Sequence, residues 1–263
     1  MKALSQHRRH PAAIYVLLLV ALVATGGLYA VFAPTGQADA SASGSANIAV
    51  AEGKALFDTN CATCHGFNAQ GSSDGPSLVG VGAAAVDFQV GTGRMPATEE
   101  SAQILAHKVR YSEAEIAQMA AYVASLGPGP AIPSAADLDL SDADMAKGGE
   151  IFRTNCAMCH NFVGSGGALT EGKFAPSLKG VSAKHIWEAM VSGPQAMPVF
   201  GDGTLTPEDK RDVIAFVQGT QDQGNPGGVS LGQVGPVSEG LLVWVVGLGA
   251  LIGCAVWLGA KAK

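Results

Sequence analysis

Two short motifs contain the residues whose types and spacing could do chemistry. Each places two cysteines and a histidine at positions i, i+3 and i+4, which share one face of a helical turn. The motifs are Cys61-Ala-Thr-Cys64-His65 and Cys156-Ala-Met-Cys159-His160. Two thiols at this spacing can form thioethers to the two vinyl groups of one porphyrin while the imidazole reaches the iron, and Cys-x-x-Cys-His is the attachment signal of c-type haem. The sequence therefore predicts two covalently bound haems c.

Three other uses of a Cys-x-x-Cys pair explain these motifs less well. A thioredoxin-like redox pair needs a βαβ context, which the sequence lacks. A zinc site needs a fourth ligand, and neither motif has another His or Cys nearby. A disulfide across four residues leaves the histidine unexplained in both motifs. The fifth cysteine, Cys254, lies in an apolar run and is expected to be a small packed residue.

The two motifs belong to a repeat, which predicts two tandem domains. Besides the motif, each copy has a Pro-Ser-Leu loop, a Met-Pro pair and a final helix with a capping-box start. The matched segments are Gly53–His65 with Gly148–His160, Gly75–Leu78 with Ala175–Leu178, Met95-Pro96 with Met197-Pro198, and Ser112–Leu126 with Thr206–Thr220. Period-two alternation is short and broken by glycine, so we expect both domains to be all-α.

The first and last helices of each copy are expected to cross closely, because a glycine in each first helix allows the last helix to approach. Aromatic residues on the two helices would then pack on the haem side. The predicted contacts involve Gly53, Phe57 and Tyr122 in the first copy and Gly148, Phe152 and Phe216 in the second.

The sixth iron ligand decides between electron transfer and catalysis. Among methionines and histidines, Met95 and Met197 occur in equivalent places, each followed by proline. The other methionines are read as packing or surface residues: Met119, Met145, Met158 and Met190. His107 and His185 do not align with each other, and bis-histidine ligation is the alternative. His/Met ligation raises the reduction potential and closes the iron to small ligands, which predicts one-electron transfer.

Charge is distributed unevenly along the chain. The formal charge is −6, but all 22 acidic residues lie between Asp39 and Glu239, together with 11 basic ones. That body therefore carries −11, and the two ends together carry +5. Because nucleic-acid binding needs clustered Lys and Arg, this charge excludes a nucleic-acid partner.

Two uncharged apolar runs flank the acidic body and predict membrane helices at both ends. They are residues Ala12–Ala33 and Gly240–Ala260, and a spanning helix needs about 20 residues. Basic residues outside both runs place the body on the extracytoplasmic side of the cell membrane. A cleaved signal is the alternative for the first run, although signal cores are usually about 7–15 residues long.

These features predict the following organisation. Residues 1–33 form an N-terminal anchor or signal, 34–49 a linker, 50–127 the first domain and 128–145 a second linker. Residues 146–222 form the second domain, 223–239 a third linker and 240–260 a transmembrane helix. The protein would span the membrane twice if the first run is retained.

Over residues 50–260 the sequence resembles the dihaem cytochrome c subunit of the actinobacterial cytochrome bcc complex, a menaquinol:cytochrome c reductase. The resemblance rests on the tandem motifs, the Gly-Pro-Ser-Leu and Ala-Pro-Ser-Leu loops, the Met-Pro pairs and the C-terminal apolar run. Its more distinctive stretches are Gly164–Leu178 and Leu205–Arg211.

The resemblance implies two class I cytochrome c domains with axial ligands His65 and Met95, then His160 and Met197. It also implies that the carbonyls of Pro76 and Pro176 accept a hydrogen bond from the histidine rings. In such a complex, electrons arrive from a Rieske iron–sulfur protein that works with cytochrome b. The electrons then pass directly to a terminal cytochrome c oxidase within a supercomplex, without a soluble carrier.

The chain would then be a subunit of an oxidoreductase, with no substrate chemistry of its own beyond one-electron transfer. A dihaem electron donor to another oxidase or dehydrogenase is an alternative. A dihaem peroxidase is a further one, and it needs an iron with an open coordination position. The Met-Pro pair in both copies argues against that enzyme.

Overall fold

A computed structural model describes residues 12–32, 37–98, 101, 103–222 and 236–261. These residues are mostly helical. The helices are α1 (Ala13–Phe32), α2 (Gln37–Asn60), α3 (Ala62–His65), α4 (Gly82–Gly91), α5 (Glu113–Ser125), α6 (Met145–Asn155), α7 (Ala157–His160), α8 (Ala183–Ser192), α9 (Pro207–Asp222) and α10 (Pro236–Lys261).

The chain divides into two units, Met1–Ile48 and Ala49–Lys263. The first unit contains α1 and the beginning of α2. Helix α2 begins inside the segment predicted as a linker, 34–49, so those residues are helical from Gln37 onward. Frequent alanines explain this, because alanine has the highest helix propensity.

One of the described helices is long and apolar enough to cross a membrane. It is the segment Ser238–Lys261, whose apolar side chains are exposed. This agrees with the predicted C-terminal span. The N-terminal apolar helix is shorter over the residues in which its side chains are described, Ala13–Leu28, and the N-terminal span stays a prediction. The third predicted linker, 223–239, lies largely outside the described residues.

In the first repeat, α2 packs against α5. The rings of Phe57 and Tyr122 lie 5.2 Å apart, and both side chains are buried. Helix α5 begins with the predicted capping box: the Ser112 side chain accepts from the Glu115 amide, and Glu115 accepts from the Ser112 amide. The core also contains Ile116 and Val123 from α5.

In the second repeat, α6 packs against α9 in the same way, and the rings of Phe152 and Phe216 lie 5.4 Å apart. Thr206 and Asp209 form the predicted reciprocal contacts at the start of α9. An ion pair adds to this crossing, because Lys147 Nζ lies 2.6 Å from an Asp209 carboxylate oxygen. The predicted helix pairing is therefore confirmed in both repeats.

The glycines at the two crossings are required by the close approach of the helices. A Cβ built on Gly53 would lie 1.9 Å from the carbonyl oxygen of Gln118. A Cβ on Gly148 would lie 1.9 Å from the carbonyl oxygen of Asp212. Neither distance is compatible with a side chain, so each crossing depends on its glycine.

The second repeat contains the one sheet among the described residues. Strands β1 (Gly167–Ala168) and β2 (Phe174–Ala175) pair antiparallel, with Gly167 opposite Ala175. A 3-10 turn at Thr170–Gly172 joins them. The all-α expectation therefore needs this small correction, and the two-residue strands explain why no alternating pattern indicated them.

The two repeats contact each other through α4 and α8 and through two glutamines. The Gln103 side chain donates to the Phe174 carbonyl and accepts from the Phe174 amide, both at 2.7 Å. The Gln195 side chain makes the same pair of contacts with Ile104, at 3.0 and 3.1 Å. Four hydrogen bonds thus connect the loops of the two repeats.

Candidate haem-binding sites

In the first repeat, the motif begins directly after α2, with Cys61 at the N-terminal cap of the short helix α3. His65 lies on this turn and is buried, with its Nδ1 atom 2.7 Å from the carbonyl oxygen of Pro76. A carbonyl can only accept, so Nδ1 carries the proton and Nε2 keeps its lone pair. The imidazole is therefore oriented and in the tautomer that a metal ligand requires.

The second repeat repeats this arrangement. His160 Nδ1 lies 3.0 Å from the carbonyl oxygen of Pro176, and the ring is buried. Burial lowers the pKa of His160, and the bond to Pro176 opposes this shift more weakly. The neutral imidazole is thus favoured at neutral pH.

None of the cysteines forms a disulfide within the described part of the chain. Burial raises the pKa of Cys61 and of Cys156 to about 11, with the partner cysteine of each motif adding to the effect. A thiol with so high a pKa stays protonated at neutral pH, whereas a redox-active pair needs an accessible thiolate. The raised pKa values argue against the redox interpretation.

The two predicted methionine ligands lie beside the buried cores of their own repeats. Met95 packs against the core that contains Phe57, and Met197 packs against the core that contains Phe152. The Met95 amide donates to the Gln89 carbonyl at 2.9 Å. Each methionine thus follows a short helix, α4 or α8, in the sequence, and packs against the core of its own repeat.

The residues of the second repeat fit a haem. One cavity is lined by all four predicted contacts of the second haem: Cys156, Cys159, His160 and Met197. Its remaining wall is mostly apolar and includes Phe152, Ile186, Met190, Phe200 and Val217. Such an apolar wall would hold a porphyrin, and an imidazole and a thioether sulfur are one ligand pair that haem iron takes. In the first repeat, Cys61 and Met95 likewise meet one buried cluster.

The first repeat contributes to the wall of the second cavity, which sequence reasoning missed. The contributing side chains are Phe88, Thr92, Arg94 and Gln103. The Arg94 guanidinium lies 5.1 Å from the centre of the Phe88 ring, and burial lowers the pKa of Arg94. No motif indicates these residues, because they reach the cavity only through the packing of one repeat on the other.

The other methionines were predicted to be packing or surface residues, and no position was predicted for the other histidines. Met119 and Met190 are buried in the two cores, whereas Met158 is 87% exposed. His107 is exposed, and His185 lies on α8 with its ring 6.1 Å from that of Phe88. His185 therefore lies at the contact between the repeats.

Two family models match the two repeats separately. Residues 50–127 match the cytochrome c family, and residues 143–217 match subunit III of cbb3-type cytochrome c oxidase. Both matched ranges contain one Cys-x-x-Cys-His motif and its methionine. The two repeats are therefore two cytochrome c domains, which implies covalently bound haem c.

Curated relatives match nearly the whole chain. The cytochrome bc1 complex cytochrome c subunits of Mycobacterium leprae and Mycobacterium tuberculosis H37Rv are each 47% identical over 94% of this chain, and the alignments cover 87% and 90% of those proteins. The Corynebacterium efficiens subunit is 43% identical over 97% of this chain and 90% of its own length. The chain belongs to the family of cytochrome c subunits of the cytochrome bc1 complex.

Proposed function

We propose that the chain is the dihaem electron-transfer subunit of a respiratory menaquinol:cytochrome c reductase. The observation that supports this best is the repeated site: in each cytochrome c domain a proline carbonyl orients the buried histidine of the motif, and a cysteine of the motif and a methionine pack against one core. In the second domain one cavity is lined by Cys156, His160 and Met197 together. The proposed domains are residues 50–127 and 146–222.

The proposed contacts follow from the residue types. The haem-attaching thiols are Cys61, Cys64, Cys156 and Cys159, and the axial ligands are His65, Met95, His160 and Met197. Pro76 and Pro176 orient the histidines. When bound, the haem iron supplies reversible one-electron oxidation and reduction. The protein contributes ligands on both sides, an apolar wall that excludes water, and a rigid frame of crossing helices.

The contact between the domains supports electron transfer from one site to the other. Phe88 and Arg94 of the first domain lie in the wall of the second cavity. Because the two domains share this wall, the two redox groups would be neighbours within one rigid arrangement. We therefore infer a single internal path through the chain, held in place by Gln103 and Gln195.

The partners follow from the relatives, which are named as subunits of the cytochrome bc1 complex. We propose that a Rieske iron–sulfur protein and cytochrome b supply the electrons and that a terminal oxidase receives them. The acidic body would orient basic surfaces of these neighbours. The helix Ser238–Lys261 would anchor the haem domains at the extracytoplasmic face.

Haem content and ligand variants test the site assignment. We expect haem staining and an iron-to-protein ratio of two, which correspond to two covalent haems per chain. A ratio of one would show that one of the two proposed sites does not bind haem. Met95→Leu and Met197→Leu should each abolish one low-spin sulfur-ligated signal. Met145→Leu is the matched control, because this methionine is 39% exposed, does not line the second cavity and should leave both signals unchanged.

Purification in mild detergent tests the assembly. Co-migration with cytochrome b and a Rieske protein is expected, and isolation of the chain with a different oxidase or a dehydrogenase would contradict the proposed complex. Adding peroxide to the half-reduced protein tests the remaining alternative. Turnover of peroxide would show an open iron and overturn the electron-transfer assignment.

A further inference from the structure

The contact between the two domains contains buried acidic groups that the haem sites do not use. Asp87 on α4 is 5% exposed, and Glu188 on α8 is 0% exposed. Both are the sixth residue of a ten-residue helix, so the two acids occupy equivalent positions in the two repeats. Two neighbouring buried carboxylates are costly unless a cation or a proton compensates them.

Compensation in the described residues is incomplete. The Lys184 ammonium lies 2.6 Å from Asp87 Oδ1, which pairs one of the two acids. Neither carboxylate oxygen of Glu188 accepts a hydrogen bond from the described residues, although both oxygens are inaccessible to solvent. Burial and the neighbouring Asp87 charge raise the pKa of Glu188 to about 8. In the absence of a second cation, a proton on Glu188 therefore compensates the second acid, and a cation that binds both acids would displace this proton.

We propose that Asp87, His185 and Glu188 form a binding site for a divalent transition-metal ion of the zinc type, located between the two domains. One ligand atom from each of the three side chains lies within 4.8 Å of the others. His185 Nε2 and Asp87 Oδ1 are 3.8 Å apart. Ligands of tetrahedral zinc are separated by about 3.3 Å, as follows from bonds of about 2.0–2.1 Å. Small side-chain rotations would bring the three atoms to that separation.

The ligand types favour zinc over magnesium or calcium. Imidazole and carboxylate together are usual zinc ligands, whereas magnesium and calcium select oxygen ligands alone. Burial, reinforced by the Lys184 charge, lowers the pKa of His185, so its ring is neutral and keeps a lone pair at neutral pH. Gly91 faces this ring, because a Cβ there would lie 3.1 Å from His185 Nε2.

Lys184 is the natural competitor for such an ion. Its side chain is 38% exposed and flexible. The ammonium can therefore move into water, where its charge is solvated. An ion of charge +2 would then neutralise both carboxylates. Arg94 and Glu113 are the other charged groups that influence His185 and Lys184, and both lie outside the three-ligand set.

A metal ion here would connect the domains directly. Asp87 belongs to the first domain, and His185 and Glu188 belong to the second. The ion would fix the position of α4 against α8 in addition to the glutamine contacts. This role does not depend on the redox partners, so it can be tested separately from the proposed function.

Zinc titration of the full-length haem-loaded protein in detergent tests the proposal, after removal of metals with a chelator. We expect one zinc per chain, counted against haem iron by elemental analysis, and competition by neither calcium nor magnesium. Glu188→Gln and Asp87→Asn should weaken zinc binding by more than the 10–100-fold typical for loss of a supporting contact. The matched controls are Glu150→Gln and His107→Gln, which remove an exposed carboxylate and an exposed imidazole elsewhere.

Lys184→Met gives the sharpest test, because it removes the competing cation and leaves all three ligands. We expect zinc to bind at least 10-fold more tightly, which a misfolded variant would not show. X-ray absorption at the zinc edge should find nitrogen and oxygen neighbours without sulfur. Unchanged affinity in Lys184→Met, or one tight zinc retained in Glu188→Gln, would overturn the proposal and leave the cluster as a proton-sharing ion pair.

Discussion

Replacing Gly148 with alanine should destabilise the second cytochrome c domain selectively. The new Cβ would lie 1.9 Å from the Asp212 carbonyl oxygen and 2.3 Å from its carbonyl carbon. These atoms belong to the backbone of α9, so no side-chain rotation can relieve the clash. The two helices must separate by about 1.6–2.1 Å to restore ordinary contact distances of about 3.5–4.0 Å. The paired rings of Phe152 and Phe216 would separate with them.

The expected magnitude combines two opposing effects. Overpacking of a core costs about 1–3 kcal/mol, and the upper value applies because backbone must move. Replacing glycine by alanine within a helix stabilises the helix by about 1 kcal/mol, because alanine has the higher helix propensity. The net loss is about 2 kcal/mol, which corresponds to a decrease of about 10 °C in the melting temperature of a domain of this size.

Gly219→Ala is the matched control for this variant. It makes the same substitution in α9, but there the Cβ meets the end of the flexible and partly exposed Met145 side chain. That side chain can move, so the control should be neutral or slightly stabilising. The assay is thermal or guanidinium unfolding of the haem-loaded protein, followed through the sulfur-to-iron charge-transfer band of each domain. Equal stability of Gly148→Ala and Gly219→Ala would refute the close-crossing explanation.

Three further perturbations follow from individual contacts. Lys210→Met should lower stability by about 1 kcal/mol in chemical unfolding, since the buried ammonium lies 2.5 Å from a carboxylate oxygen of the 73% exposed Asp202 and 2.8 Å from a backbone carbonyl. Ser112→Ala should cost about 1 kcal/mol by removing the cap of α5, measured by thermal unfolding. In metal-free protein, the free energy of unfolding should fall as pH rises from about 4.5 to about 8, because the folded state retains a proton on Glu188 that the unfolded chain releases. Glu188→Gln should remove that part of the slope in pH-dependent unfolding, and an unchanged slope would contradict it.

The parts of the site that depend on local spacing could be predicted from the sequence. The Cys-x-x-Cys-His turn and the capping boxes each lie within a few residues, so their types and spacing determine their geometry. The glycine at each helix crossing was also predictable, because both copies of the repeat contain it. In each copy a phenylalanine follows four residues later, Phe57 in the first and Phe152 in the second.

The linker between the domains was predicted less completely. Residues 128–145 are rich in glycine and proline at their start, which predicts an irregular segment but gives no information on packing. The structure shows Ile132 against the first core and Leu138 and Leu140 against the second. Single apolar residues in an irregular segment have no periodicity, so a pattern analysis does not distinguish packed from exposed ones.

The contact between the domains could not be predicted from spacing, although the sequence contained a signal for it. Asp87 and Glu188 interrupt otherwise largely apolar helices at the same position of each repeat, and a lone acid there is unusual in a buried helix. When two similar helices pack against each other at that position, each acid lies near its counterpart, and the charge at the contact doubles. Lys184 compensates one of the two charges. The second acid at this contact is therefore a consequence of packing one repeat on the other, and it requires either the proton on Glu188 or a cation that binds both acids.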